Sequence, residues 1–154
     1  MARSRKWVLA LALLPFLWVS CTSSMNKNKI KNNQIMEVSQ QEKQGILHAI
    51  DLYVEGGRKA SGRIAAEAFS PTATMSWTED GKLKSVPIQA LFDGFDTWQP
   101  MEASYELTTL DVAEDVAIVR IESQFGPSKF ADMFTLVKDG DLWKIVSKVY
   151  HVKK

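Results

Sequence analysis

The chain has 154 residues, with 19 Lys+Arg against 18 Asp+Glu, 45% hydrophobic residues and 24% charged residues. That length accommodates one domain, the core-forming share excludes a disordered chain, and the balanced charge speaks against a nucleic-acid partner. A single cysteine and two histidines exclude an internal disulfide framework and a thiolate zinc site, and no metal or cofactor is expected.

Residues 1–20 read as a signal peptide rather than as part of a fold. Arg3, Arg5 and Lys6 form a basic start, and Trp7 to Val19 is an uncharged run broken once by Pro15. The run is shorter than the ~20 residues a bilayer span needs. It ends in Trp18-Val19-Ser20-Cys21, which resembles a bacterial lipobox, although Trp18 stands where Leu is preferred. On that resemblance Cys21 carries a lipid and anchors the chain to a bacterial membrane, on the periplasmic or cell-surface side. The alternative is ordinary secretory cleavage between Ser20 and Ser24, giving a secreted or periplasmic soluble protein. Residues 21–37 are polar, Asn/Lys-rich and without periodicity, as expected of a flexible tether. Lys27, Lys29 and Lys31 lie in it, so the near-neutral total conceals a basic leader, a basic tether and a mildly acidic domain over 38–154.

The domain opens with helices. Ile46, Leu47, Ile50, Tyr53 and Val54 recur at three- and four-residue steps, which predicts one face of a helix ended by Gly56-Gly57. A short second helix is expected over Ser61 to Phe69, broken by Ser70-Pro71. Thr72 to Trp77 and Lys82 to Val86 flank Glu79-Asp80-Gly81, a hairpin signal. Pro87 then opens a third helix over Ile88 to Gly94. Longer strands follow: Ala103 to Val112, Val116 to Phe125, Lys129 to Lys138, and Leu142 to Val152 after the Asp139-Gly140 turn. Tyr105 and Leu107 hold one phase and Leu110 and Val112 the other, which predicts a β-bulge at Thr108 or Thr109. The expected class is α+β, three helices on one face of a curved antiparallel sheet.

This order of elements resembles the cone-shaped fold of the nuclear transport factor 2-like superfamily. Within it the chain is most similar to the bacterial putative lumazine-binding family. The residues that carry the likeness are Phe69-Ser70-Pro71-Thr72-Ala73, Asp80-Gly81-Lys82-Leu83 with Val86-Pro87, Phe130 to Leu136, and Trp143 to His151. It spans roughly residues 40 to 152. One departure is Ser70, where the family often has His. The resemblance implies a conical pocket on the concave face of the sheet, closed by the helices, and dimerisation through the sheet's outer face.

Familiar catalytic signatures are absent: no Gly-x-Ser-x-Gly elbow, no phosphate-cradling glycine loop and no His-Glu-x-x-His. Asp132 is the most informative residue. In strand phase it shares a face with Phe130, Phe134 and Leu136, and a carboxylate on an apolar face must be paired, neutral or functional. It either bonds a neighbouring hydroxyl or Lys148, faces the rim, or serves a pocket. Parity places Trp143, Ile145, Ser147, Val149 and His151 on one face of the last strand. If that face is concave, His151 approaches Asp132 as an acid–base pair; otherwise His151 is exposed at the sheet edge.

Ketosteroid isomerases share the fold and use a Tyr and a protonated Asp as an oxyanion hole, with a second Asp as base. On that likeness Tyr53 and Asp132 take the first two places. The base position falls near Trp77, which takes no proton. Phe69, Trp77 and Trp98 are candidates to stack on a flat ligand, with Trp98 in a loop where it either lids the pocket or contacts a partner. The leading expectation is a non-catalytic, lipid-anchored envelope protein whose pocket binds a small aromatic or polar ligand and involves Tyr53, Phe69, Trp77, Trp98, Asp132, Phe134, Ile145, Ser147 and Val149. The alternatives are an isomerase- or hydrolase-like enzyme using Asp132 with Tyr53 or His151, and an interaction module whose pocket is filled by its own side chains. A homodimer is expected.

Overall fold

The computed structural model describes residues 39–154. The expected signal peptide over 1–20, the expected lipid site at Cys21 and the expected tether over 21–37 lie outside the described residues. The order of elements is α1 (Gln40–Arg58), α2 (Gly62–Ala66), β1 (Phe69–Glu79), β2 (Lys82–Pro87), α3 (Gln89–Asp96), β3 (Ala103–Ala113), β4 (Val116–Phe125), β5 (Ser128–Asp139) and β6 (Leu142–Lys153). This is the expected α+β architecture, with the helices packed on a curved six-stranded sheet.

Helix α1 begins where Ser39 accepts a hydrogen bond from the Glu42 amide at 3.1 Å. It buries Ile46, Ala49, Ile50, Tyr53 and Val54 along one face. The expected stop at Gly56-Gly57 is not a stop, because α1 runs through both glycines to Arg58. Their role is close approach. A Cβ on Gly56 would lie 2.6 Å from the Ala65 Cβ, and one on Gly57 would lie 2.2 Å from the Phe125 ring. The chain turns instead at Ala60, which sits in the left-handed region at φ 51°. Helix α2 is shorter than expected, and Phe69, Ser70 and Pro71 belong to β1 rather than to a helix end.

The β1–β2 turn is made by Asp80 and Gly81, both at positive φ, as a two-residue Asp-Gly hairpin requires. The sheet order is β2-β1-β6-β5-β4-β3. Four neighbouring pairs are antiparallel, as expected, but β1 and β6 run parallel, so the sheet is mixed. The expected bulge in β3 is present: the register with β4 shifts between Leu107 and Thr109. A second bulge was not anticipated. In β6, Ile145 pairs with Leu136 and Ser147 with Thr135, leaving Val146 as the extra residue. The core between helices and sheet holds Ile46, Ile50, Ile88, Phe95, Ile121, Phe134, Leu136 and Ile145.

Candidate ligand-binding site

The bulge at Val146 decides what faces the helices. Side chains alternate along a strand, so one extra residue sends every later side chain to the opposite face. Trp143 and Ile145 point into the core, and past the bulge so do Lys148 and Tyr150. Ser147, Val149 and His151 therefore fall on the outer face, with Val149 46% exposed and His151 exposed beside Ala131. The expected shared face of Trp143, Ile145, Ser147, Val149 and His151 is thus corrected. His151 takes the second of its two expected places, exposed at the sheet edge, and is not paired with Asp132, which lies across β5 and β6 from Tyr150, one position away and on the inner side.

Asp132 is completely buried and lies at the centre of a polar cluster. Its Oδ1 accepts from Lys148 Nζ at 2.6 Å, and its Oδ2 accepts from Ser123 Oγ at 2.5 Å and Tyr53 OH at 3.3 Å. Each donor comes from a different element, Tyr53 from α1, Ser123 from β4 and Lys148 from β6. Three converging donors make Asp132 an acceptor, which differs from the proton-donating Asp of the isomerase oxyanion hole. Burial pushes the Tyr53 hydroxyl well above its ordinary pKa, and the Asp132 charge pushes it the same way, so Tyr53 keeps its proton and donates. Burial pulls the Lys148 ammonium below its ordinary value, with the Asp132 carboxylate opposing that pull. The Lys148 Nζ also lies 4.1 Å from the centre of the Tyr150 ring.

Above this cluster is a cavity of about 200 Å³. Its walls are Ala90, Leu91, Gly94 and Phe95 of α3, Trp98 just after it, Tyr53 of α1, and Met75, Phe125, Phe130 and Tyr150 of the sheet. Lys148 supplies the cationic group in this lining. Trp98 closes one side, packed against Phe95 and Phe125 with ring centres 4.8 and 5.9 Å away.

Of the residues expected at the pocket, Tyr53 and Trp98 line the cavity. Asp132 sits behind Lys148 and Tyr53, and reaches the space through them. Phe69, Phe134 and Ile145 are core residues that do not border it. Trp77 leans on the Tyr150 ring, 5.6 Å between centres, and stays outside the lining. Lys148, expected as a partner for Asp132, also lines the cavity, as do Tyr150, Phe95 and Phe125, for which no pocket role is expected from the sequence. The signal for Lys148 and Tyr150 was present: bulky residues hold odd positions at 143 and 145 and an even one at 150, the same phase switch that marks Thr108. Among the described residues, no three His, Cys, Asp or Glu side chains cluster as metal ligands would.

The family model described as "Putative lumazine-binding" matches residues 41–151. A nuclear transport factor 2-like protein of unknown function from Shewanella baltica OS155 is 37% identical, covering 74% of this chain and 95% of its own, with a TM-score of 0.70. Another from Methylobacillus flagellatus KT is 28% identical, covering 77% of this chain and 97% of its own, with a TM-score of 0.69. Among curated proteins, Aldolase FrzH of a Cladobotryum species is 28% identical over 117 residues, which is 74% of this chain and 94% of that protein.

Proposed function

The chain belongs to the putative lumazine-binding family of the nuclear transport factor 2-like superfamily, and from that premise we propose that its cavity binds a small, flat molecule carrying a carbonyl or anionic oxygen. The observation that carries this reading is the pairing of aromatic walls with one buried cation. Flat rings gain from Phe95, Trp98, Phe125 and Phe130 on several sides. An ammonium has three donors, and the bond to Asp132 uses one of them. A ligand oxygen placed at Lys148 recovers the solvation its burial has removed. An apolar cavity of about 150 Å³ holds benzene, so this space suits one ring with substituents or a small fused pair.

The test is direct. Mass spectrometry of the purified protein, native and then denatured, looks for a co-purified small molecule, and calorimetry uses lumazine as the first probe. Binding is expected in the wild type and at least tenfold weaker in Trp98→Ala and Lys148→Met. Equal occupancy in Lys148→Met or in Asp132→Ala removes the polar cluster from the site.

A second reading is enzymatic, and two observations favour it. Tyr53, Asp132 and Lys148 place proton-handling groups at the cavity, and one curated relative bears the name aldolase. On this reading Asp132 exchanges protons through Lys148, with Tyr53 polarising a substrate oxygen. His151 has no part in it.

The same proposal extends to where the domain sits. A lipid on Cys21 anchors it at a bacterial membrane through the tether over 21–37, supported by the basic start, the apolar run and the Ser20-Cys21 junction. Labelled palmitate should appear on the wild type and vanish in Cys21→Ala, and persistent labelling removes the anchor. The domain pairs with a second copy through the outer face of the sheet. Ile118, Met133 and Val149 are 54%, 48% and 46% exposed there, with Met133 and Val149 cross-strand neighbours.

A further inference from the structure

We propose that Lys148 is an amine nucleophile that captures a small aldehyde or ketone as an imine inside the cavity. This rests on the reading of the cavity as a small-molecule site and adds a reaction to it.

Three requirements of imine chemistry meet at this residue. The first is an amine that a carbonyl carbon can reach while bulk water is held off. Lys148 is 3% exposed, yet it borders the cavity. The rings of Tyr53, Phe134 and Tyr150 lie around Nζ, with centres 5.5, 5.9 and 4.1 Å away, and hold back hydrolysis of the product. The second is an unprotonated nitrogen. Desolvation favours the neutral amine, and Asp132 Oδ1, 2.6 Å away, is positioned to accept the departing proton. The third is a fixed acid–base partner. Ser123 and Tyr53 hold Oδ2 of the same carboxylate, so Oδ1 stays aimed at Lys148 Nζ. The Tyr150 ring beneath Nζ favours a cation there, whether ammonium or iminium. Stability alone does not require the arrangement, since a well-packed apolar pair commonly serves a core as well as a buried ion pair does.

The step balances without an oxidant or reductant. The Lys148 ammonium gives one proton to Asp132. The freed nitrogen pair attacks the carbonyl carbon and forms the C–N bond, while the carbonyl π pair moves to oxygen. A proton passes from nitrogen to that oxygen, giving a neutral carbinolamine. Asp132 returns its proton to the hydroxyl, the C–O bond breaks, water leaves, and the nitrogen pair completes the C=N bond. In sum, one ammonium and one carbonyl give one iminium and one water.

The experiment treats the purified full chain with benzaldehyde and sodium cyanoborohydride, which reduces any iminium to a stable benzyl amine, and locates the label by peptide mass mapping. Saturation-transfer NMR without reductant measures benzaldehyde binding in parallel. Label is expected on Lys148 at least tenfold faster than on the exposed Lys82. Lys148→Arg, which keeps the charge opposite Asp132, should lose that label while binding persists. Asp132→Asn should slow the labelling of Lys148. If benzaldehyde binds but Lys148 is labelled no faster than Lys82, the amine assignment is overturned and the small-molecule reading stands. If benzaldehyde neither binds nor labels Lys148, both fall.

Discussion

Lys148 Nζ and Asp132 Oδ1 are 2.6 Å apart, and the two side chains are only 3% and 0% exposed. Removing one member of such a pair leaves a buried charge without compensation, which costs about 3–5 kcal/mol. Asp132→Ala is therefore expected to lower the urea midpoint sharply. Asp132→Leu combined with Lys148→Met replaces both charges by apolar groups and should recover most of that loss. A double variant as unstable as Asp132→Ala would show that the pair is not the source.

The glycines of the helices divide into two kinds. Gly57→Ala drives a methyl into the Phe125 ring, so a loss of about 1–3 kcal/mol is expected. Gly94, inside α3, has nothing within 4 Å of the same added atom. Gly94→Ala should gain about 0.5–1 kcal/mol from helix propensity. Thermal melts of the two variants should move in opposite directions, and a shared direction would refute the packing account of Gly57.

Acid stability should depend on Glu42. This carboxylate accepts from Lys138 Nζ at 2.6 Å and from Trp143 Nε1 at 2.7 Å, tying α1 to β5 and β6. The Lys138 bond, followed by the Trp143 bond, holds its pKa below the ordinary 4.5. A lowered folded value means the unfolded chain takes up the proton first. The contribution is complete above 4.5 and is lost as pH falls through the folded value. Glu42→Gln should flatten the acid limb of a urea-midpoint profile, and an unchanged limb would assign it to other carboxylates.

Pairing of two copies through the outer face is tested by charge. Met133→Asp and Val149→Asp place carboxylates in the centre of the exposed apolar patch. In sedimentation the wild type is expected as a dimer and the double variant as a monomer with an unchanged melting profile. A wild-type monomer would sink the proposal.

Much of the architecture was legible because it rests on local signals. Asp80-Gly81 set the hairpin, and the phase change from Leu107 to Leu110 set the β3 bulge. The apolar spacing from Ile46 to Val54 set α1. What misled was a residue type read through its commonest use. Gly56-Gly57 look like a terminator, but the helix needs them to lie against Ala65 and Phe125, contacts made far along the chain. The site was harder for the same reason. Tyr53 and Asp132 stand out by residue type, and Lys148 as a partner for Asp132, but strict alternation along β6 puts Ser147 and Val149 on the face of Trp143 and Ile145 and leaves His151 open between that face and the sheet edge. One extra residue, Val146, sends Ser147, Val149 and His151 to the outer face, and register is fixed by the neighbouring strand rather than by local sequence. The parallel β1–β6 pair is a tertiary contact of the same kind.

That pair also sets an order of events for the nascent chain. β6 lies between β1 and β5, so it joins the β1–β2 hairpin to the β3–β4–β5 meander. Until it is made, the two halves share no strand, and β1 and β5 each wait with an open edge. The pairing of Phe69 with Ile145 closes a loop of most of the domain, and such distant contacts form slowly. Cooperative folding is thus deferred until the sixth strand has left the ribosome. A chain with this topology closes its sheet later than one whose sheet grows strand by strand from its beginning.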